Sequence, residues 1–248
     1  MRLLPTAILA WLLFGAIGTL GAILAVRSVV RGQYPSAVVA LGACAFCYGL
    51  IIPLVKVVRG NVIPRGEVDD AGTTIRPDRG IDIPVLVSLF GLVVASALIA
   101  VLAPLGKLDI PVPPAMRFSL PFVSAVIVVT GGTVLWRNLL RGSTKYLRLT
   151  PDGFEIVQGW RPQSGDWAQV ADVTDAAPNQ SAPTPTAIVV VMSDGSAPSL
   201  AAASSTPDGR ALRELVRFYW LHPTDRAELT DGRALERLRN EQFDVDVN

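Results

Sequence analysis

Residues 146–159 read Tyr146-Leu-Arg-Leu-Thr-Pro-Asp-Gly-Phe-Glu-Ile-Val-Gln-Gly159. Leu147 and Leu149, then Phe154 and Ile156, alternate with polar residues around Pro151-Asp152-Gly153. That pattern predicts two antiparallel strands and a tight turn, with Gly153 expected at φ > 0. The hairpin begins only a few residues after a long apolar run ending at Trp136. A membrane segment therefore feeds directly into a β-domain, and both halves follow from working outward from this point.

Half of the 248 residues are hydrophobic and 17% are charged, against roughly 25% charged in soluble domains. Four windows are almost free of charge: Leu3–Val26, Pro35–Val55, Pro84–Pro104 and Phe118–Trp136. Each has about the length a helix needs to cross some 30 Å of hydrocarbon. None shows the polar face of a soluble core helix. The expectation is a four-helix transmembrane bundle over residues 1–142. The first window is too long for a signal-peptide core and precedes no small-x-small cleavage site, so it reads as a retained helix.

Lys and Arg set the orientation. With the N-terminus inside, inner segments hold Arg2, Lys56, Arg59, Arg65, Arg76, Arg79, Arg137, Arg141, Lys145 and Arg148. Outer loops hold Arg27, Arg31, Lys107 and Arg117. Ten against four places both termini in the cytoplasm of a multi-pass plasma-membrane (inner-membrane) protein. Arg137, Arg141 and Lys145 recur every four residues, so a helix continuing past Trp136 would align them; with Arg148 they read as a basic belt at the membrane surface.

No ionisable group sits in the middle of a window, which counts against ion pathways and proton relays. Gly15, Gly18 and Ala22 line one side of the first helix, Ala45 and Gly49 are four apart in the second, and Gly131-Gly132 interrupts the fourth. Small residues permit close helix packing, within the bundle or against a partner. Cys44 and Cys47, at i and i+3 in the second window without a second pair or a His, read as packing residues rather than a redox or zinc motif. The connection Val57–Ile83 carries Arg65, Glu67, Asp69, Asp70, Asp78 and Asp82. Asp69-Asp70 has the oxygen chemistry for a hard cation, but the alternation with Arg and Gly reads as a solvated connector.

Beyond Lys145 the period becomes two. Strands are expected at Tyr146–Thr150, Phe154–Gly159, Trp167–Val173, Ala187–Met192 and Ser199–Ala202, with a second turn at Ser193-Asp194-Gly195. Ala176–Pro185 reads as a loop. Thr206 and Pro207 open a helix whose apolar face is Leu212, Leu215, Val216 and Tyr219. A shorter helix around Leu235 and Leu238 follows.

Antiparallel strands closed by an amphipathic helix suggest a pleckstrin-homology (PH)-like unit. Leu149-Thr-Pro-Asp-Gly-Phe-Glu-Ile, then Gly165-Asp-Trp-Ala-Gln-Val-Ala-Asp-Val, resembles bacterial PH-like domains, whose pattern is L-T-x-x-G, a hydrophobic strand, a Gly, then W-x-x-I/V-x-x-V. Phe218-Tyr-Trp-Leu-His-Pro-Thr-Asp-Arg-Ala-Glu-Leu, with Ala234-Leu-Glu-Arg-Leu, resembles multi-pass membrane proteins of mycobacteria and other actinobacteria carrying a C-terminal PH-like domain. The bias to Arg over Lys fits such a source. The resemblance implies a small α+β cytoplasmic PH-like domain over residues 143–222 and a helical tail over 223–248.

PH-like folds suggest phosphoinositide binding, but the charge has the wrong sign. Residues 146–248 hold nine Arg and fifteen acids, net −6, whereas residues 1–145 are net +7. Anionic lipid and nucleic acid both call for a basic footprint, so neither phosphoinositide nor nucleic-acid binding is expected. His222 reads as a helix-end residue. No P-loop, nucleophile elbow or zincin motif occurs, and Asp152, Asp194 and Asp231 each precede a turn Gly. No catalytic residue, metal or cofactor is expected. Trp160 and Trp167 bracket a polar turn, either as packing residues or as partner anchors. The function expected is a non-catalytic accessory or scaffolding subunit of a larger inner-membrane complex with an integral-membrane partner. The actinobacterial resemblance suggests a lipid-importing ABC transporter of the MCE type as host. A lipid or small-ligand binding module is the alternative, and an unrecognised membrane enzyme or transporter is the third reading.

Overall fold

The computed structural model describes residues 3–108, 116, 119–141, 145–159, 161–176 and 186–243. Two compact units arise, one from Met1–Val58 and Gly80–Gly142, the other from Arg59–Arg79 and Ser143–Asn248. The chain therefore enters the second unit, leaves it and returns.

The first unit is α1 (Leu3–Val30), α2 (Tyr34–Val58), α3 (Arg79–Leu102) and α4 (Ser119–Arg141). All four are long and apolar enough to cross a membrane. The first two expected windows lie within α1 and α2, the third runs two residues past the end of α3, and the fourth matches α4 from Ser119, Phe118 lying outside the described residues. Large apolar side chains such as Leu12, Phe90, Phe122 and Trp136 stand exposed, as suits a lipid-facing surface and not a soluble one. Small residues make the close approaches between helices. Gly18 faces Cys47 and Tyr48, and Gly21 faces Ala40 and Cys44. Gly42 and Gly91 bring α2 and α3 so close that a Cβ on Gly42 would lie 2.5 Å from the Gly91 carbonyl oxygen. Ser88 of α3 donates to the Phe46 carbonyl at 2.9 Å, a bond that substitutes for water in an apolar surround.

The second unit holds β1 (Arg65–Asp69), β2 (Gly72–Arg76), β3 (Lys145–Leu149), β4 (Gly153–Gln158), β5 (Pro162–Asp166), β6 (Val170–Thr174), β7 (Ala187–Met192) and β8 (Ser199–Ala201), then α5 (Arg210–Leu221) and α6 (Arg233–Asn240). One antiparallel sheet has the order β1-β2-β3-β4-β5 and the other β6-β7-β8. Ile75 opposes Leu147, Leu147 opposes Ile156, and Leu149 opposes Phe154. These inward residues meet Val173, Ile188, Val190, Met192 and Leu200 of the smaller sheet and Leu212, Leu215, Val216 and Tyr219 of α5 in one core.

Four expectations change. The Val57–Ile83 connection is no mere solvated loop: it contributes β1 and β2. Asp69 Oδ1 accepts from the amides of Ala71 and Gly72 at 2.9 Å each, closing the turn, while Thr73 and Ile75 point into the core. The strand expected at Trp167–Val173 begins only at Val170, after a 3₁₀ turn at Trp167–Gln169. It is preceded by the polar edge strand β5, which has no apolar alternation to betray it. Gly153 is not among the positive-φ residues; its need is space, because a Cβ there would lie 2.3 Å from the Gly165 carbonyl oxygen. Thr206 makes no side-chain cap, and α5 starts after a 3₁₀ turn at Pro207–Gly209, with Gly209 at φ 67.

Residues 223–243 pack as part of the body. Leu229, Ala234 and Leu238 belong to its core, and Leu235 lies against Gly66 of β1.

Candidate functional site

Two polar constellations stand out in the second unit. The first is on the outer face of the larger sheet. There the register sets Glu67, Thr74, Arg148, Glu155 and Ser164 side by side across β1 to β5, because alternate residues of β2, β3 and β4 are committed to the core. Arg148 donates from Nη2 to both oxygens of Asp69, at 2.9 and 2.7 Å. Tyr146 donates to Glu155 at 2.7 Å, and Arg76 pairs with Glu67 at 3.2 Å. At the end of this face an open groove of about 570 Å³ is lined by Arg148, Thr150, Asp152, Glu155, Asp166 and Gln169. With the Arg148 charge already held by Asp69, the groove wall is acidic, and its chemistry suits a cationic or hydrogen-bonding visitor over a phosphate.

The second constellation ties residues 223–240 to α5. Glu228, 8% exposed, accepts from Arg237 Nε and Nη2 at 3.0 and 2.9 Å and from the Tyr219 hydroxyl at 3.0 Å. Burial opposes ionisation of Glu228 most strongly, yet the Arg237 and Tyr219 hydrogen bonds and the nearby guanidinium charges together hold its carboxyl below the ordinary range. Burial pushes the Tyr219 phenol up, and the Glu228 charge adds to this. The Arg237 guanidinium also lies 4.1 Å from the centre of the Phe218 ring, which stacks on His222 at 4.6 Å and meets the Tyr219 ring edge-on at 5.2 Å. Arg226 closes the end of α5 by donating to the carbonyls of Tyr219 and Trp220, at 2.8 and 3.2 Å. Every group here is consumed by another, which makes the cluster a clasp.

The sequence-derived residues fall in separate places. Trp167 is a core residue, 2% exposed, donating from Nε1 to the Thr150 carbonyl at 2.9 Å; it is not an exposed anchor. Trp160 and Arg117 lie outside the described residues, as do residues 177–185 of the expected loop. Gly18 is used inside the bundle, Ala22 is half-buried, and nothing lies within 4 Å of a Cβ built on Gly15. The basic belt is not one helical stripe. Arg137 and Arg141 belong to α4, which ends at Arg141, whereas Lys145 opens β3 and Arg148 is engaged with Asp69. Cys44 and Cys47 are free thiols packed against Gly21 and Gly18. His222 sits at the C-terminal end of α5, its Nδ1 2.9 Å from the Phe218 carbonyl.

Sequence reasoning missed the Glu228–Arg237–Tyr219 clasp. The available signal was Glu228 nine residues from each of the other two, with a helix expected on either side. Among the described residues no group of three His, Cys, Asp or Glu side chains could hold a metal ion. No family model, curated protein or solved structure matches this chain.

Proposed function

We propose that the chain is a non-catalytic accessory or scaffolding subunit of a larger membrane complex, with its four apolar helices spanning the bilayer and its body in the cytoplasm. The observation that carries this reading is the partition of charge. Residues 59–79 and 143–248 hold fourteen basic and nineteen acidic side chains, net −5, whereas the residues of the helical unit are net +6. An anionic leaflet repels such a body and leaves it to meet a protein with a basic face. The pairing of β2 with β3 supports the even number of crossings between them that the four-span reading requires. Strands β2–β5 and β6–β8 with α5 supply seven antiparallel strands in two sheets and a closing helix, which supports the PH-like reading, with β1 as an addition.

The actinobacterial resemblance makes a lipid-importing ABC transporter of the MCE type the first host to test. Purification of the endogenously tagged full chain in mild detergent should recover an integral-membrane partner, released as salt is raised, since exposed charges are screened within roughly 10 Å at 0.1 M. Recovery of the chain alone, together with salt-sensitive binding of its body to anionic vesicles, would replace this reading with the lipid-module one. The groove beside Asp152 and Asp166 is the feature that favours a small-ligand module, for a cationic ligand.

A further inference from the structure

We propose that the connection between α2 and α3 is a strand-donating arm on which folding of residues 145–243 depends. β2 lies between β1 and β3, with Thr73 and Ile75 0% and 1% exposed. Thr73 Oγ1 donates to the Leu229 carbonyl at 2.6 Å, 156 residues further along the chain. The Asp78 amide donates to the Ser204 carbonyl at 3.0 Å, while the Asp78 carboxylate accepts from the Ile63 amide at 3.0 Å. Asp69 holds Arg148 of β3, and Gly66 gives Leu235 of α6 its seat. One short segment thus engages four later parts of the body. A two-stranded hairpin alone is marginal in water, so the arm has no stable fold of its own. Without it, β3 becomes an open edge, Leu147 loses its apolar partner Ile75, and Leu149 loses its partner Thr73.

The consequence is a checkpoint. β2 and β3 are neighbours in the sheet, yet α3 and α4 separate them in sequence. They can pair only when both lie in the same aqueous compartment. A chain in which one of the two helices fails to cross places the arm on one side and the rest of its sheet on the other, and the body does not fold. Formation of the body therefore excludes a chain in which only one of α3 and α4 has crossed. This rests on the four-span reading.

The test uses the full chain in lipid nanodiscs with hydrogen exchange of α5 and β7, elements remote in sequence from the arm. Ile75→Asp places a charge in the core and should accelerate their exchange on the order of 100-fold. Thr74 and Arg148 are direct cross-strand partners. In a Cys44→Ala, Cys47→Ala background, the Thr74→Cys, Arg148→Cys pair should form a disulfide and slow exchange in α5 relative to the reduced form, because the arm can no longer undock. Unchanged α5 protection in Ile75→Asp, or on locking the disulfide, overturns the arm. Labelling of Asp70→Cys and Asp194→Cys from opposite sides of the membrane instead overturns the four-span reading and the checkpoint with it.

Discussion

Truncation of Arg237 to Ala should loosen the C-terminal segment from the body in a pH-dependent way. The substitution deletes two charge-assisted hydrogen bonds to Glu228 and the guanidinium over Phe218. Breaking a fully buried ion pair costs about 3–5 kcal/mol, because the remaining charge stays desolvated. Here the Arg237 side chain is 21% exposed, and Arg233 lies 3.9 Å from Glu228 and can swing in. We therefore discount the loss to about 2 kcal/mol, which is roughly 30-fold in an opening equilibrium. Hydrogen exchange of residues 223–240 in the full chain reads it directly. Because Glu228 is held below its ordinary value near 4.5, its contribution is complete above that pH and is lost as pH falls through the folded-state value. The gap between wild type and Arg237→Ala should thus narrow in acid. Arg237→Lys, which keeps the charge but not the fork, should fall between them. A difference below about threefold at neutral pH, or one that widens on acidification, would refute the clasp as a stabilising element.

Three further outcomes are expected. Gly153→Val should destabilise the body by about 1–3 kcal/mol through overlap with the Gly165 carbonyl, measured as faster exchange in β4 and β5; an unchanged exchange pattern would remove the close approach as its cause. Gly42→Leu should separate α2 from α3 at the Gly91 contact, lowering the detergent half-life of the purified chain, whereas Gly15→Leu, open within 4 Å, should not. In a background without Cys44 and Cys47, single cysteines at Asp70 and Asp194 should label from one side of the membrane and one at Lys107 from the other; uniform labelling would end the topology.

The helices were legible because each window carries its own signal: some twenty apolar residues without a charge admit few alternatives. The same holds for β3, β4 and α5, whose alternation or 3.6-residue spacing is local, as at Leu147/Leu149 and Leu212/Leu215/Val216. What escaped was non-local. Thr73 and Ile75 are buried only because Leu147, Leu149 and Leu229 arrive more than seventy residues later, and the charges around them, Glu67, Asp69 and Arg76, describe a loop equally well until their partners are known. β5 escaped for the opposite reason, since an exposed edge strand of Pro162-Gln-Ser-Gly-Asp needs no apolar face. The clasp follows the first pattern: Glu228 looks like any surface acid until Arg237 and Tyr219 close on it. Local pattern fixes an element wherever burial repeats with its period, and it goes silent where one segment's burial is supplied by another. In this chain those silent places coincide with the contacts that make three separated stretches, residues 59–79, 145–176 and 186–243, into a single body.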